Sequence, residues 1–398
     1  MTPDPIFATI DARARTAKRA VFAETRRGVK LLREKFRNGG VTFANISAKQ
    51  LRRASWLRAR VMKQVHDLGE AKKRVDTYRA EWTVERDLAR AVAGSDPIIV
   101  GPWLSEVGYE VLYWIPFVRW VHAQFDIPRE RLVVVTRGGA AAWYADIASN
   151  AVELFDLMSP EEYAAGNAQR SADDRGTLKQ FGVSEMDRRI VDEVRMRLGA
   201  PRVRLLHPSY LYGLFHQFWL GHRPPSFLEK RTRYRRMSAP PVATPALPDS
   251  FVAVKFYTAA SLPPTDAVRR VLQSIVIGLA ERNHVVMLDT GLALDDHEDY
   301  SFGVASRIHS VRDALEPRNN LAVQTAIIGR ASSFVGTCGA LAWLAPMLGI
   351  DTTAVLADAR FLHGHLQVAR RVYQVIGAGR FAPLDISAFD QLGLSIHS

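Results

Sequence analysis

Asp96-Pro-Ile-Ile-Val-Gly-Pro-Trp-Leu-Ser-Glu-Val-Gly-Tyr-Glu-Val-Leu-Tyr-Trp-Ile-Pro-Phe117 decides the fold. A short apolar run, Pro97 to Gly101, stops at a turn and gives way to a helical pattern, the signature of a buried strand feeding a helix. Working outward, the same alternation returns. Arg131 to Thr136, Ala151 to Phe155 and Val203 to His207 read as further strands with helices between them. Four prolines within Met237 to Ser250 mark a linker, and beyond it strands are expected at Phe251 to Phe256, His284 to Asp289, Ser332 to Val335 and Thr352 to Leu356. Helices are expected at Asp266 to Arg282, Asn320 to Arg330, Ala340 to Leu348 and Leu362 to Val375. Strands alternating with helices argue for parallel sheets. The chain therefore reads as α/β, with two Rossmann-like domains, residues 96–239 and 251–398, joined by a proline-rich linker over 240–250. A ligand belongs in the cleft beyond the carboxyl ends of the strands.

Composition supports a globular chain: of 398 residues 47% are apolar and 24% charged, which excludes disordered and collagen-like readings. The one cysteine, Cys338, forms no internal disulfide and points to a reducing, cytoplasmic setting. Charge is unevenly placed. Residues 1–95 hold 22 Lys and Arg against 10 Asp and Glu, which leaves 31 of each in the remainder, so the whole net charge of +12 sits in this arm. The arm reads as helical, with Leu57, Val61, Val65 and Leu68 on one side of a helix and Lys49, Arg52, Arg53, Trp56, Arg60 and Lys63 on another. A cationic, tryptophan-bearing helix suits peripheral attachment to an anionic membrane surface. Packing or dimerisation fits it equally, and without a recognisable motif nucleic acid is not the expected partner. Acidic Asp4 and Asp11 precede any leader-like apolar run, so no cleaved leader is expected. The uncharged window Ala331 to Ile350 contains Gly336, Gly339 and Pro346 and reads as strand, turn and helix rather than a membrane span.

Several places can carry chemistry. Glu106 and Glu110 flank Gly108 where a strand meets a helix, and a carboxylate kept ionised there by the helix dipole can serve as a general base. Dipole complementation by Glu110, with the aromatics as core, is the plainer reading. Thr136-Arg-Gly-Gly-Ala140 offers backbone N–H groups at Gly138 with Arg137 beside them, either an anion site or an ordinary turn. Val335-Gly-Thr-Cys-Gly-Ala340 is built to bring Gly336, Gly339 and the Thr337 hydroxyl close to phosphate oxygens. Cys338 itself reads as a small buried residue. Lys255 ends an otherwise apolar strand, so its ammonium is expected to face the cleft and a diphosphate, or to pair with Asp289. In Asp295-Asp-His-Glu-Asp299 a solvated loop is favoured over a metal site, with Glu298 in reach of a ribose hydroxyl. His207 is a cleft candidate or a core histidine.

Residues 97 to 117 and 319 to 350 together resemble bacterial glycosyltransferases of the GT-B type, heptosyltransferase-like members in particular. In those members an acid six residues before a proline in the first turn is the base, as Glu110 stands before Pro116. The resemblance thus implies Glu110, with Glu106 second, as base, and a donor site around Lys255, Gly336, Thr337, Gly339 and Asn320. The chain departs in reading Thr-Cys-Gly at the C-terminal turn, where heptosyltransferases tend to have Asp-Thr-Gly. Expected from all this is an inverting, metal-independent transfer of a sugar from a nucleotide-sugar substrate to a hydroxyl of a glycan or lipid-linked acceptor, without a cofactor. The opposing expectation is a non-catalytic scaffold that binds partners through the arm.

Overall fold

A computed structural model describes residues 75–173, 179–292, 294 and 297–389, with the single positions 19, 23, 27, 63 and 67. The amphipathic and cationic faces read in residues 47–68 lie almost wholly outside the described residues, as do Asp295 and Asp296. Contacts divide the chain into two units, Met1–Thr83 and Val84–Ser398. In the first, residues 75–83 are helical and the Thr83 hydroxyl donates to the Arg79 carbonyl at 2.8 Å. The second begins earlier than the strand pattern suggested, because Leu88 and Val92 are core residues of it.

The second unit holds two sheets. Strand β1 (Ile98–Val100) leads into α1 (Val107–Tyr109), which continues through a π-helical stretch, Glu110–Trp114, into α2 (Ile115–Gln124). Next come β2 (Leu132–Thr136), β3 (Asn150–Glu153), α3 (Pro160–Asp173), α4 (Glu185–Arg197), β4 (Arg204–Leu206) and α5 (Ser209–Trp219). The first sheet has the order β3-β2-β1-β4 with every pairing parallel. After residues 232–248, which carry neither helix nor strand, come β5 (Phe251–Lys255), α6 (Asp266–Ala280), β6 (His284–Met287), β7 (Ile308–Ser310), α7 (Asn320–Ile328), β8 (Ser333–Thr337), α8 (Ala340–Met347), β9 (Thr352–Leu356), α9 (His363–Ile376) and β10 (Phe381–Asp385). The second sheet runs β10-β9-β8-β5-β6-β7, again all parallel.

Two strands, β7 and β10, had no counterpart in the sequence pattern. Both are edge strands: Ile-His-Ser is too short to alternate, and Pro383 interrupts Phe-Ala-Pro-Leu-Asp, which an edge tolerates because one side of the ladder needs no partner. The central strands are apolar on both faces, as a covered parallel sheet requires. Ile98 and Val100 enter one core while Ile99 enters another, and Phe251 and Ala253 part from Val252 and Val254 in the same way. The inner faces of both sheets share a single cluster, which runs from Ile98 and Leu132 through Phe117 and Trp343 to Phe251 and Phe334. The halves are therefore welded by apolar packing below the cleft, and backbone bonds Arg233 N to Pro116 O and Met237 N to Met347 O pin the connecting segment to each.

No helix among the described residues is long and apolar enough to cross a membrane. The window Ala331 to Ile350 holds β8, a glycine turn and α8, as its glycines indicated.

Candidate active site

A cavity of about 450 Å³ opens where the strand ends of the two sheets face each other. Its first wall carries Glu106, Gly108, Tyr109, Arg137 and Lys179, and its second Lys255, Tyr257, Thr290, His297, Asp299, Gly339 and Ala340.

The loop bearing Glu106 is held from below by buried polar side chains. Arg137 donates to Ser105 O at 2.6 Å and to the Tyr163 hydroxyl at 2.7 Å. Gln180 accepts from Leu104 N and donates to Pro102 O, both at 2.9 Å, and Arg170 donates to Leu104 O at 3.2 Å. Such a lashed loop fixes a side chain at its tip, which is what a reacting carboxylate needs. Glu106 is the N-cap position of α1 and lines the cavity.

Glu110 does not line it, which corrects the placement expected from the sequence. The helix starts at Val107, so Glu110 lies a full turn inward, in the π-helical stretch, with 1% of its surface exposed. Its Oε1 accepts from the Tyr144 hydroxyl at 2.7 Å and its Oε2 has no hydrogen-bond partner among the described residues. Burial pushes this carboxyl up to about 7, against the opposing pull of Arg137 and Tyr144.

The Gly138 turn is also corrected. Gly138 N and Gly139 N donate to the two carboxyl oxygens of Glu153 at 3.0 and 2.9 Å, so the acceptor this turn holds belongs to the chain, a carboxyl that burial pushes up to about 7 against these bonds. Both glycines have positive φ, +63° and +76°, which lets the two amides point the same way. Arg137 does reach the cavity wall, but its mapped bonds support the Ser105 loop.

On the second wall, Lys255 lies at the end of β5 and pairs with Asp299 at 2.6 Å, while donating to Leu288 O at 3.0 Å. Its partner is thus not Asp289, which instead accepts from the Ser301 and Ser310 hydroxyls. Burial works against the Asp299 charge, yet Lys255 and the Thr290 N–H and hydroxyl outweigh it and hold the carboxyl below its ordinary value. Gly339 and Ala340 open α8 into the cavity; of the first-turn amides, Ala342 N donates to Gly339 O at 2.8 Å, and those before it precede the first intrahelical acceptor. A side chain at Gly339 would collide with the Tyr257 hydroxyl.

Gly336 and Thr337, read as phosphate contacts, do not line the cavity. Thr337 stitches β8 to the end of β5: its hydroxyl accepts from Tyr257 N at 2.8 Å and donates to Tyr257 O at 3.0 Å. A Cβ at Gly336 would meet Lys255 O and the Phe334 ring, so that glycine serves packing. Asn320 lines the cavity, but its amide donates to Pro317 O at 2.9 Å. Exposed Glu298 does not line it, and its backbone N–H is bound by the Thr258 hydroxyl. His207 is a core histidine, with Nδ1 accepting from Ser209 N and Nε2 3.4 Å from Asp187. Cys338 is buried and its thiol is pushed up to about 12 by burial, so it stays protonated. Among the described residues, no group of three or more His, Cys, Asp and Glu could hold a metal ion.

Sequence reasoning missed Tyr109, Tyr113, Lys179, Tyr257, Thr290, His297, Gln324 and His365. Tyr257 and Thr290 stand within three residues of strand ends, where the rule for parallel sheets would have found them. Lys179 and His365 have no such signal. His365 comes from α9, and burial pushes it down to about 4, so it is neutral; its Nδ1 and the Tyr113 hydroxyl lie 2.5 Å apart in a hydrogen bond that ties the two walls. The walls also touch directly, since a Cβ at Gly108 would lie 2.9 Å from Ala340 N.

No protein-family model matches the chain and no curated protein does. Among solved structures it is similar to the iron-containing dodecameric glycosyltransferase TibC from enterotoxigenic E. coli, at 12% identity and a TM-score of 0.33, over 66% of this chain and 58% of that one. It is similar to E. coli ADP-heptose LPS heptosyltransferase II at 11% and 0.36, over 66% and 85%. It is also similar to the family 9 glycosyl transferase from Veillonella parvula at 11% and 0.38, over 77% and 90%. This chain thus spans little more than half of TibC. At this level of likeness, substrate and chemistry have to rest on the residues themselves.

Proposed function

We propose that the protein is an inverting glycosyltransferase that moves a sugar from a nucleotide-sugar donor to a hydroxyl of a glycan or lipid-linked acceptor. The observation that carries this reading is the contact of two turns. Glu106 stands two residues before Gly108, and Gly108 packs against the amide that opens α8. An acid and a helix N-terminus suited to a diphosphate therefore meet across one cavity.

In this scheme the donor diphosphate lies along the opening turn of α8 with Lys255 beside it. Glu106 takes the proton of the acceptor hydroxyl as its oxygen forms the bond to the anomeric carbon. The bond from that carbon to the phosphate oxygen breaks on the opposite face, and the nucleoside diphosphate leaves with the electron pair. Glu110, beneath the floor, is not the base. The basic arm fits an anionic membrane surface that presents lipid-linked acceptors.

A panel of nucleotide sugars tests the reading by thermal shift, since the right donor stabilises the chain by a few kcal/mol at concentrations far above its dissociation constant. A Glu106→Gln variant should keep that shift and lose turnover. No response to any nucleotide sugar would favour a scaffold without catalysis.

A further inference from the structure

Phe361 is unlike the other aromatic side chains around the cavity. Tyr113, Phe155, Tyr257 and Trp343 are buried, whereas Phe361 lines the cavity mouth with 63% of its surface in solvent. A large ring costs free energy when left in water, so one held at a site's edge is open for a partner ring.

The ring is held. Ala357 N and Asp358 N donate to Ser261 O at 2.7 and 3.1 Å, which anchors the start of its loop to the loop that follows β5. Arg360 is clamped to Asp358 by its backbone N–H at 2.9 Å and by its guanidinium at 2.6 to 3.0 Å. That guanidinium lies over the Phe361 ring at 5.8 Å. The ring thus has a cation from its own loop beside it.

The sheet register relates this loop to the phosphate side of the cavity. Lys255 pairs with Gly336, and Gly336 pairs with Ala354, so the ends of β5, β8 and β9 lie side by side. Two strand spacings put Ala354 of β9 about 10 Å across the sheet from Lys255, and the loop leaving that strand brings Phe361 to the wall of the same cavity. A nucleoside diphosphate spans such a separation between its terminal phosphate and its base. We infer that Phe361 is the stacking platform for the nucleobase of a nucleoside diphosphate whose phosphates lie at Lys255 and the opening turn of α8. This rests on the donor reading above and adds to it the residue that grips the base.

Calorimetric titration of ADP, UDP, GDP and inorganic pyrophosphate into the full chain tests it. One nucleoside diphosphate should bind the unaltered protein, Phe361→Ala should weaken that binding about tenfold, and Phe361→Tyr should restore it. Pyrophosphate, which has no ring, should bind the three proteins alike. Nucleotide binding unchanged by Phe361→Ala overturns the assignment while the donor reading stands. An equal loss for pyrophosphate also overturns it, because the loop and not the ring would then be responsible. If no nucleoside diphosphate binds the unaltered protein, both readings fall.

Discussion

Two glycine turns, Gly138-Gly139 after β2 and Gly339 after β8, share a local design. Each follows a buried strand, each opens a helical stretch, and each presents backbone N–H groups that could receive an anion. Their surroundings differ. The first turn is filled by Glu153, which reaches it from the neighbouring strand, whereas the second opens on a cavity with Lys255 and Glu106 at its walls. What makes an anion site is the space opposite the amides and the group that already occupies it.

The comparison can be broken in several ways, the largest first. If the open turn faces the base, Glu106→Gln should lower kcat about a thousandfold, roughly 4 kcal/mol in the barrier, with the donor dissociation constant little changed. Retained turnover in that variant would remove Glu106 from the chemistry.

At the filled turn, Glu153→Ala leaves the Gly138 and Gly139 N–H groups without their acceptor and should cost about 3 kcal/mol in urea unfolding. Phosphate in the buffer should then raise the Tm of the variant by more than it raises that of the unaltered protein. An unaffected unfolding midpoint would show that the carboxylate does not hold the turn.

Glu110 can be tested by its pH dependence. Its carboxyl shifts from 4.5 to about 7 on folding, so the native chain binds this proton more tightly than the unfolded chain does. The residue's contribution to stability is therefore intact at low pH and falls as pH rises from about 4.5 through 7, by roughly 3 kcal/mol in all. Glu110→Gln should lack that loss and gain by about the same amount on the unaltered protein between pH 4 and pH 8. A stability difference independent of pH would mean that Glu110 is solvated.

The smallest effect belongs to Thr337→Val, which removes two hydrogen bonds to Tyr257 and should cost about 1 to 2 kcal/mol of stability while leaving nucleoside diphosphate affinity alone. A tenfold loss of affinity with an unchanged Tm would return Thr337 to the phosphate site.

The central strands were legible because each is an apolar run between turn residues, and such a run has few alternatives to a covered parallel sheet. Strands β7 and β10 were not, since an edge needs neither length nor alternation and accepts Pro383. The same division runs through the site. Glu106, Arg137, Lys255 and Gly339 were legible as residues that punctuate strand ends. Which of two acids faces the cleft was not, because Glu106 and Glu110 are four residues apart and the start of the helix decides which one turns inward.

By itself, the sequence determined the two parallel sheets, the turns between strand and helix, and the confinement of the excess positive charge to residues 1–95, since these follow from the local order of apolar, turn and charged residues. Only the tertiary structure decided that Glu153 fills one turn while the other stays open, that Lys255 pairs with Asp299, and that His365 meets Tyr113 across 252 residues of chain. Those choices depend on which strands lie side by side and how closely the two halves pack, and no local pattern of residues encodes either.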